Sequence, residues 1–184
     1  MIPRLVRTTL LVLIICKSTI FALQLMFPSS RKISISLILI LTLLVIQSCD
    51  SQRFYEENRQ IENGLWNSKE KAIFNVTITD ILTRYNFYIN LRNGGDYPYS
   101  NIYLFLKTVF PDGRIAMDTI ECPLADYDGK WLGSGISEVK FNRFLFQKGV
   151  RFPQKGQYVF EVEQAMRVNE LKGITDVGIR LEKQ

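Results

Sequence analysis

The feature that most constrains the fold is an alternation of apolar and polar residues that begins at Phe74. The runs 74–78 (FNVTI) and 85–91 (YNFYINL) each place an apolar residue at every second position. A period of two puts those side chains on one face of a β-strand, and aromatic and β-branched residues favour that conformation. The two runs therefore predict half-buried strands.

Further strands follow in the rest of the chain. They are predicted at 99–110, 114–121, 139–147, 158–163 and 174–181, with a short helical turn at 165–171. The strand at 99–110 is apolar at Tyr103, Phe105 and Val109 as well as on its other face, which predicts a central strand. Turns are predicted at 93–96 (NGGD) and 111–113 (PDG), where Asn, Gly and Pro favour turn conformations.

No segment shows a sustained helical period. Strands of this length, separated by turn residues, are typical of an antiparallel sandwich. The sequence predicts an all-β fold, a single antiparallel β-sandwich of about eight strands, either jelly-roll or immunoglobulin-like.

A second constraint is the apolar run from Ile33 to Cys49, which two cations, Arg31 and Lys32, precede. A charged segment, an apolar segment and a small residue before a cut site are the parts of a secretory signal. The run is shorter than the ~20 residues that span a bilayer. Its end at Ser48-Cys49 is typical of a bacterial lipobox, which predicts cleavage before Cys49 and a diacylglycerol on its thiol. The alternative is an ordinary signal peptide or anchor helix whose cysteine is incidental.

The chain is predicted to have three parts. Residues 1–48 are a leader and lipoprotein signal helix, 49–68 are the lipidated cysteine and a polar tether that becomes an edge segment, and 69–184 are the sandwich domain. A start at Met26 leaves a signal of ordinary length with its cations in place, so translation from Met26 is the preferred interpretation.

The boundary at Cys49 divides the charge unevenly. The chain has 23 basic and 18 acidic residues, and five of the basic residues but none of the acidic ones precede Cys49. The part from Cys49 onward therefore has 18 of each. Nucleic-acid binding needs a basic face that neutralises phosphates, so this balance argues against a nucleic-acid partner.

The composition argues against enzymatic chemistry. The chain contains no histidine, which removes the usual general base and the commonest zinc ligand. Glu161 and Glu163 share one strand face, where a solvated surface is favoured over paired catalytic carboxylates. The sequence therefore predicts no catalytic residue, no small-molecule substrate, and no cofactor apart from the covalent lipid on Cys49.

Asp126 and Asp128 are the only candidates for metal binding. A pair of aspartates spaced by one residue can bind calcium, but an EF-hand loop needs further acidic residues and a distal Glu. An Asx-type turn is therefore favoured over a metal site.

Tyr88 and Trp131 form the predicted interaction surface. Aromatic residues are concentrated at Tyr85, Tyr88, Tyr97, Tyr99 and Tyr103, and a packed core is favoured for most of them over a recognition face. Tyr88 is out of phase with its apolar neighbours and is expected to face outward. Trp131 lies in a glycine-rich connection, where it either displays its ring for binding or closes one end of the sandwich.

Cys122 is predicted to be a buried small hydrophobe. Cys16 lies in the discarded leader and Cys49 carries the lipid, so Cys122 is left without a disulfide partner in the mature chain.

Four stretches together resemble a known family. They are INLRNGGDYPYSNIYLF at 89–105, ADYDGKWLGSG at 125–135, FPQKGQYVFEVEQAMR at 152–167 and GITDVGIRLEK at 173–183. In this order they resemble GldH, a lipoprotein family associated with gliding motility in Bacteroidetes, and the resemblance runs from Cys49 to the C-terminus. It implies a membrane-anchored, periplasm-facing, non-catalytic component of surface-adhesin motility and of the associated secretion machinery, with Cys49 as its one transferable functional residue.

The expected function is thus that of a lipid-anchored envelope protein that assembles with other gliding and secretion proteins. The alternative is a lipoprotein that stacks carbohydrate or peptidoglycan on an aromatic face. Exposed aromatic residues in a concave site beside polar groups favour the glycan interpretation. A flat apolar patch favours a protein partner.

Overall fold

Antiparallel strands account for nearly all regular structure in residues 50–135 and 138–184, which are the residues that this computed structural model describes. The strands are β1 Arg53–Gln60, β2 Leu65–Asn67, β3 Ala72–Ile78, β4 Tyr85–Asn93, β5 Asn101–Val109, β6 Ile115–Pro123, β7 Lys140–Val150, β8 Gly156–Gln164, β9 Glu170–Lys172 and β10 Ile174–Lys183. A 3₁₀ turn at Glu62–Gly64 separates β1 from β2. The predicted signal helix and Cys49 lie outside the described residues.

Eight of these strands form two four-stranded sheets. The first sheet has the order β1-β10-β4-β7, the second has the order β3-β8-β5-β6, and β2 pairs with β9 alone. Early strands thus pair with late ones, as they do when one long hairpin is rolled up with the β5–β6 turn at its tip. This is the jelly-roll arrangement, so the predicted all-β sandwich is confirmed and its jelly-roll version fits the topology.

The core lies between the two sheets and contains side chains from both. Strand β3 is buried at Phe74, Val76 and Ile78 and exposed at the residues between them. Strand β8 buries Tyr158, Phe160 and Val162 in the same way, as expected from its sequence. Removing these side chains from water is the main force that holds the two sheets together.

Strand β5 is central in the second sheet, between β8 and β6, as predicted. Its apolar outer face is nevertheless not covered by another part of the described chain. Tyr103 and Phe105 both remain exposed, while Ile102, Leu104 and Leu106 on the inner face are fully buried.

Two short segments add strands to the fold. Residues 53–60, within the predicted tether that becomes an edge segment, form β1 at the edge of the first sheet, where Phe54 and Tyr55 pack against the core. The helical turn predicted at 165–171 is wrong at its end, because residues 170 and 171 belong to β9, whose Leu171 is buried opposite the buried Trp66 of β2. In both segments one or two side chains that pack against the core decide the local structure.

The strand directions define two ends of the sandwich. The tether end contains residues 50–52, the connections 79–84, 110–114 and 151–155, and Gln184. The distal end contains the segments 61–71, 94–100, 124–135, 138–139 and 165–173. Among the described residues, no helix is both long enough and apolar enough to cross a bilayer.

Candidate interaction surface

Tyr88 lies on the outer face of the first sheet, opposite Arg180 of β10 and Leu145 of β7. Its side chain is half-buried. Burial and a hydrogen bond that the Tyr88 hydroxyl donates to Glu182 raise the pKa of Tyr88. Tyr88 therefore faces away from the core, but neighbouring side chains partly cover it.

Trp131 lies at the distal end, on a different element from Tyr88. It pairs with Ala125 through an isolated β-bridge, and its ring centroid is 6.4 Å from that of the buried Tyr97. The indole is half-buried and packs against the core cluster. The side chain of Tyr127, on the same connection, is fully exposed.

The tyrosine-rich stretch divides between core and surface. Tyr85 and Tyr97 are buried, and burial raises the pKa of Tyr97. Tyr99 and Tyr103 are exposed. The favoured core interpretation therefore holds for only part of this stretch.

Asp126 stabilises a turn. Its Oδ1 accepts hydrogen bonds from the backbone N–H groups of Asp128 (3.0 Å) and Lys130 (2.8 Å), which is the geometry of an Asx-type turn. Within the described part of the chain, no three acidic or cysteine side chains are grouped closely enough to hold a metal ion.

Cys122 is completely buried and unpaired in any disulfide, as predicted. Burial raises the pKa of its thiol to about 12. Because the thiolate is the reactive form, this cysteine is inert at neutral pH.

A charged network occupies the middle of the outer face of the first sheet. Arg180 is only 4% exposed, and its Nη1 and Nε donate hydrogen bonds of 2.6 Å to Glu56 and to Glu182. Arg143 and Asn90 also bind Glu56, at 3.1 and 3.0 Å. Charge-assisted bonds of this length are among the stronger hydrogen bonds in proteins.

The carboxylate of Glu56 is the centre of this network. Burial alone would raise its pKa, but the hydrogen bond and charge of Arg180 outweigh burial and hold the pKa below its ordinary value. Glu56 is therefore ionised at neutral pH and balances the buried guanidinium. This arrangement is a satisfied structural network rather than an acid poised for catalysis.

Gly178 makes room for the same network. A Cβ at Gly178 would collide with Asn58 Oδ1 and would lie 2.6 Å from the Glu57 carbonyl oxygen. The Asn58 amide, which Asn90 also contacts at 3.3 Å, thus folds over the glycine and closes this part of the sheet.

The outer face of the second sheet exposes apolar side chains instead. We call Tyr103, Phe105, Ile115 and Met117 the β5–β6 face. Phe105 is 41% exposed and Met117 is 64% exposed, and the strand register makes them diagonal neighbours. Strand β6 is also the edge of its sheet, so its outer backbone groups are directed away from β5.

Ion pairs flank the β5–β6 face on β8. Lys71 contacts Glu161 at 3.1 Å and Glu163 at 2.8 Å, and Lys107 contacts Glu161 at 3.1 Å. Burial would raise the pKa of Glu161, but the hydrogen bonds from Lys71 and Lys107 lower it overall. The two glutamates thus belong to a partly solvated ion-pair network, in line with the favoured surface interpretation.

The strand and turn patterns of the sequence predict neither the β5–β6 face nor the Arg180 network. The sequence does contain a signal for the β5–β6 face, because Ile115 and Met117 are out of phase with Ile120 and Cys122 of the same strand. Apolar residues on both faces of one strand leave one set uncovered when only one face meets the core. No comparable signal marks Arg180, whose partners are distant in sequence.

Comparisons with known proteins agree on one family. A family model described as "GldH lipoprotein" matches residues 53–181. The "Gliding motility lipoprotein GldH homolog" of Christiangramia forsetii is 37% identical over 153 residues, which cover 79% of this chain and 93% of that relative. The "Gliding motility lipoprotein GldH" of Flavobacterium johnsoniae is 32% identical over 154 residues, which cover 80% and 95%.

Among solved structures, the "Structure of infectious bursal disease virus Gx strain" matches with 12% sequence identity and a TM-score of 0.31. The match covers 72% of this chain and 30% of that one. This similarity is too low to indicate a shared fold.

Proposed function

This chain belongs to the GldH lipoprotein family, and we propose that it is a non-catalytic interaction component of the gliding machinery and of the secretion machinery linked to it. Two curated relatives are named as gliding-motility lipoproteins, which associates the chain with the cell envelope and with gliding. Neither name describes an enzyme. The proposed location of the sandwich domain is the periplasm.

The observation that carries this proposal is the β5–β6 face. It is a sheet surface with exposed Phe105, Ile115 and Met117, bordered by Lys107 and Glu121 on the same side. Apolar centres with polar rims are typical of protein interfaces, and aromatic and methionine side chains are enriched there. A partner protein fits this surface better than a glycan does.

Crosslinking followed by pull-down from native membranes tests the role of this face. The variant carrying Phe105→Ser and Met117→Ser should fold normally and lose most of the captured partner. Leu145→Ser is the matched control, since Leu145 is 49% exposed on the outer face of the other sheet. Undiminished capture by the double variant, or equal loss in the control, would rule out the β5–β6 face as the interface.

The proposed membrane attachment is a lipid on Cys49. Each acyl methylene that is buried in a bilayer contributes about 0.8 kcal/mol of binding free energy, so two or more acyl chains anchor the protein stably. Cys49→Ala should leave unprocessed precursor and abolish labelling by a fatty-acid probe. Continued labelling of this variant would refute the lipidation of Cys49. A separate test concerns the translation start: a tagged chain that begins at Met26 should still be processed normally.

A second candidate function is glycan binding at the distal end. Tyr127 and Tyr99 are exposed at the same end as the half-buried Trp131, and Lys130 and Asp126 lie on the connection that carries Tyr127 and Trp131. If this group binds glycan, Tyr127→Ala should reduce sedimentation of the protein with purified peptidoglycan and leave its unfolding midpoint unchanged. Wild-type protein that does not sediment with peptidoglycan would exclude this function.

A further inference from the structure

We propose that the tether end of the sandwich docks directly onto a bilayer surface with anionic headgroups, and that Leu82 enters the lipid interface. This inference rests on the proposed lipid anchor at Cys49. It adds a second membrane contact, made by the folded domain itself.

The short tether places the tether end close to the anchor. Only Asp50, Ser51 and Gln52 separate Cys49 from β1. The Gln52 carbonyl already accepts a 2.8 Å hydrogen bond from the backbone N–H of Lys183, so the sheet holds Gln52 in place. Three residues span at most about 10 Å, so a lipid on Cys49 keeps this end of the domain near the membrane surface.

An apolar tip projects from the tether end. Leu82 is 77% exposed and Ile81 is also exposed, in the connection between β3 and β4. Asp80 holds this tip in shape, because its carboxylate accepts hydrogen bonds from the Leu82 N–H (2.8 Å) and from the Thr83 hydroxyl (2.6 Å). An ordered loop that exposes leucine loses little conformational entropy when the side chain enters lipid.

Basic side chains lie at the same end of the sandwich as this tip. Seven exposed cations lie at or near the tether end, against three aspartates and the terminal carboxylate; they are Arg53, Arg84, Arg114, Lys148, Arg151, Lys155 and Lys183. Asp112 pairs with Arg114 of the same connection, which leaves six cations against two aspartates and the terminal carboxylate. The excess positive charge complements anionic headgroups, which attract basic segments near a membrane.

The tether end is held together as one surface. The Gln184 N–H donates a 3.0 Å hydrogen bond to the Arg84 carbonyl, next to the tether contact made by Lys183. Gln154 donates a hydrogen bond to Asp112, which joins two further connections. Lys155 lies near enough to Asp80 to help lower the pKa of that carboxyl. The apolar tip and the cations are therefore presented together.

The distal end lacks this excess of positive charge. Counted in the same way, with the strand residues within three positions of its segments, this end carries seven exposed acidic residues and seven exposed cations; the acids are Glu62, Glu70, Asp96, Glu121, Asp128, Glu138 and Glu170, and the cations are Arg59, Lys69, Lys71, Arg92, Lys130, Arg167 and Lys172. A domain whose net charge is zero is thus positive at the end that the anchor brings to the membrane. Docking there leaves Trp131 about 30 Å from the bilayer, the length of a nine-residue strand.

The test uses the full, lipidated protein reconstituted into vesicles of phosphatidylcholine, with or without phosphatidylglycerol. An environment-sensitive fluorophore is attached to a Leu82→Cys variant and, as a control, to a Tyr127→Cys variant at the distal end. Cys122 is buried and does not compete for the label. In anionic vesicles, nitroxide lipids should quench the Leu82→Cys probe roughly threefold more than the Tyr127→Cys probe, since about 30 Å separates the two ends of the domain. In vesicles without phosphatidylglycerol this difference should disappear.

Charge reversal separates electrostatic docking from simple proximity. Arg151→Glu with Lys155→Glu should abolish the extra quenching, while Lys130→Glu with Arg167→Glu at the distal end should preserve it. Equal quenching of both probes, or quenching that the first pair leaves unchanged, would overturn the docking proposal. Flotation with the vesicles tests the anchor separately. Wild-type protein that fails to float would overturn both the anchor and the docking. Protein that floats without selective quenching of the Leu82→Cys probe would overturn the docking alone.

Discussion

The two sheets of this sandwich have outer faces of opposite character. On the first sheet, Arg180 and Asn90 point away from the core, yet both are almost inaccessible to water. On the second sheet, Phe105 and Met117 also point away from the core, and both are exposed. Side-chain polarity alone therefore does not decide which outward residues meet solvent.

The reason lies in what stands beside each residue. Around Arg180 the strand register places Glu56, Tyr88 and Glu182, whose side chains meet over the sheet and satisfy one another. Around Phe105 and Met117 the register places Thr119 at the edge strand β6, where no further strand of the described chain covers them. One face is closed by its own network, and the other is left available to a partner.

The largest expected effect comes from opening the closed face. Arg180→Ala should destabilise the protein by roughly 3 kcal/mol, because Glu56 and Glu182 lose the cation that balances them in a poorly hydrated site. Chemical denaturation measures this change. Arg59→Ala is the control, since that side chain forms an exposed ion pair with Glu57 and should cost at most about 1 kcal/mol. Equal costs would mean that the network is an ordinary surface feature.

Adding a methyl group at Gly178 should destabilise the closed face of the first sheet almost as much as Arg180→Ala does. Gly178→Ala should cost about 2 kcal/mol, because its Cβ overlaps the Asn58 amide and pushes β1 away from β10. Gly95→Ala is a suitable control, since its nearest contact would be 4.0 Å away. An unchanged unfolding midpoint for Gly178→Ala would show that Asn58 can turn aside.

A matched pair of aromatic residues compares the faces directly. Tyr88→Ala on the closed face should cost about 1–2 kcal/mol, since the half-buried ring loses contacts and the bond to Glu182. Phe105→Ala on the exposed face should change stability by no more than about 0.5 kcal/mol. Tyr88→Phe separates the hydroxyl from the ring. The comparison fails if Phe105→Ala is the more destabilising change.

The smallest expected effect concerns acid sensitivity. The pKa of Glu56 is lower in the folded state than in the unfolded chain, so its stabilising contribution is present above the unfolded value of about 4.5 and is lost as the pH falls through the folded pKa. Glu56→Gln should therefore reduce the loss of stability as the pH falls.

The stabilisation that Glu161 provides above its pKa should be weakened more by added salt than that of Glu56, because its partner Lys71 is exposed. Identical salt dependence in the two cases would contradict the contrast between the faces.

Several features of the fold follow from local residue patterns. The alternation at 74–78, 85–91 and 158–163 identifies three strands and their buried faces, because a period of two leaves a strand only one apolar side to bury. The turn residues at 111–113 predict the β5–β6 hairpin for a similarly local reason. The four family-like stretches identify the family, and their match is confirmed.

Other features depend on contacts between distant parts of the chain. Residues 53–60 have the composition of a polar tether that becomes an edge segment, but their pairing with β10 and its register are set by the distant strand. The depth of Tyr88 and the half-burial of Trp131 depend on Glu182 and Tyr97, which no local pattern connects to them.

Residue types and short spacings are enough to establish the strand periodicity, the turn chemistry, the charge balance after Cys49 and the family, since none of these depends on contacts between distant residues. Contacts between distant strands establish that Arg180 is buried on an outward face, that Phe105 and Met117 are exposed, and that seven exposed cations lie at the same end of the sandwich as Leu82. Those outcomes depend on which strands become neighbours. The free energy of burying or exposing a side chain is set by those neighbours, and they can be as distant along the chain as Glu56 is from Arg180.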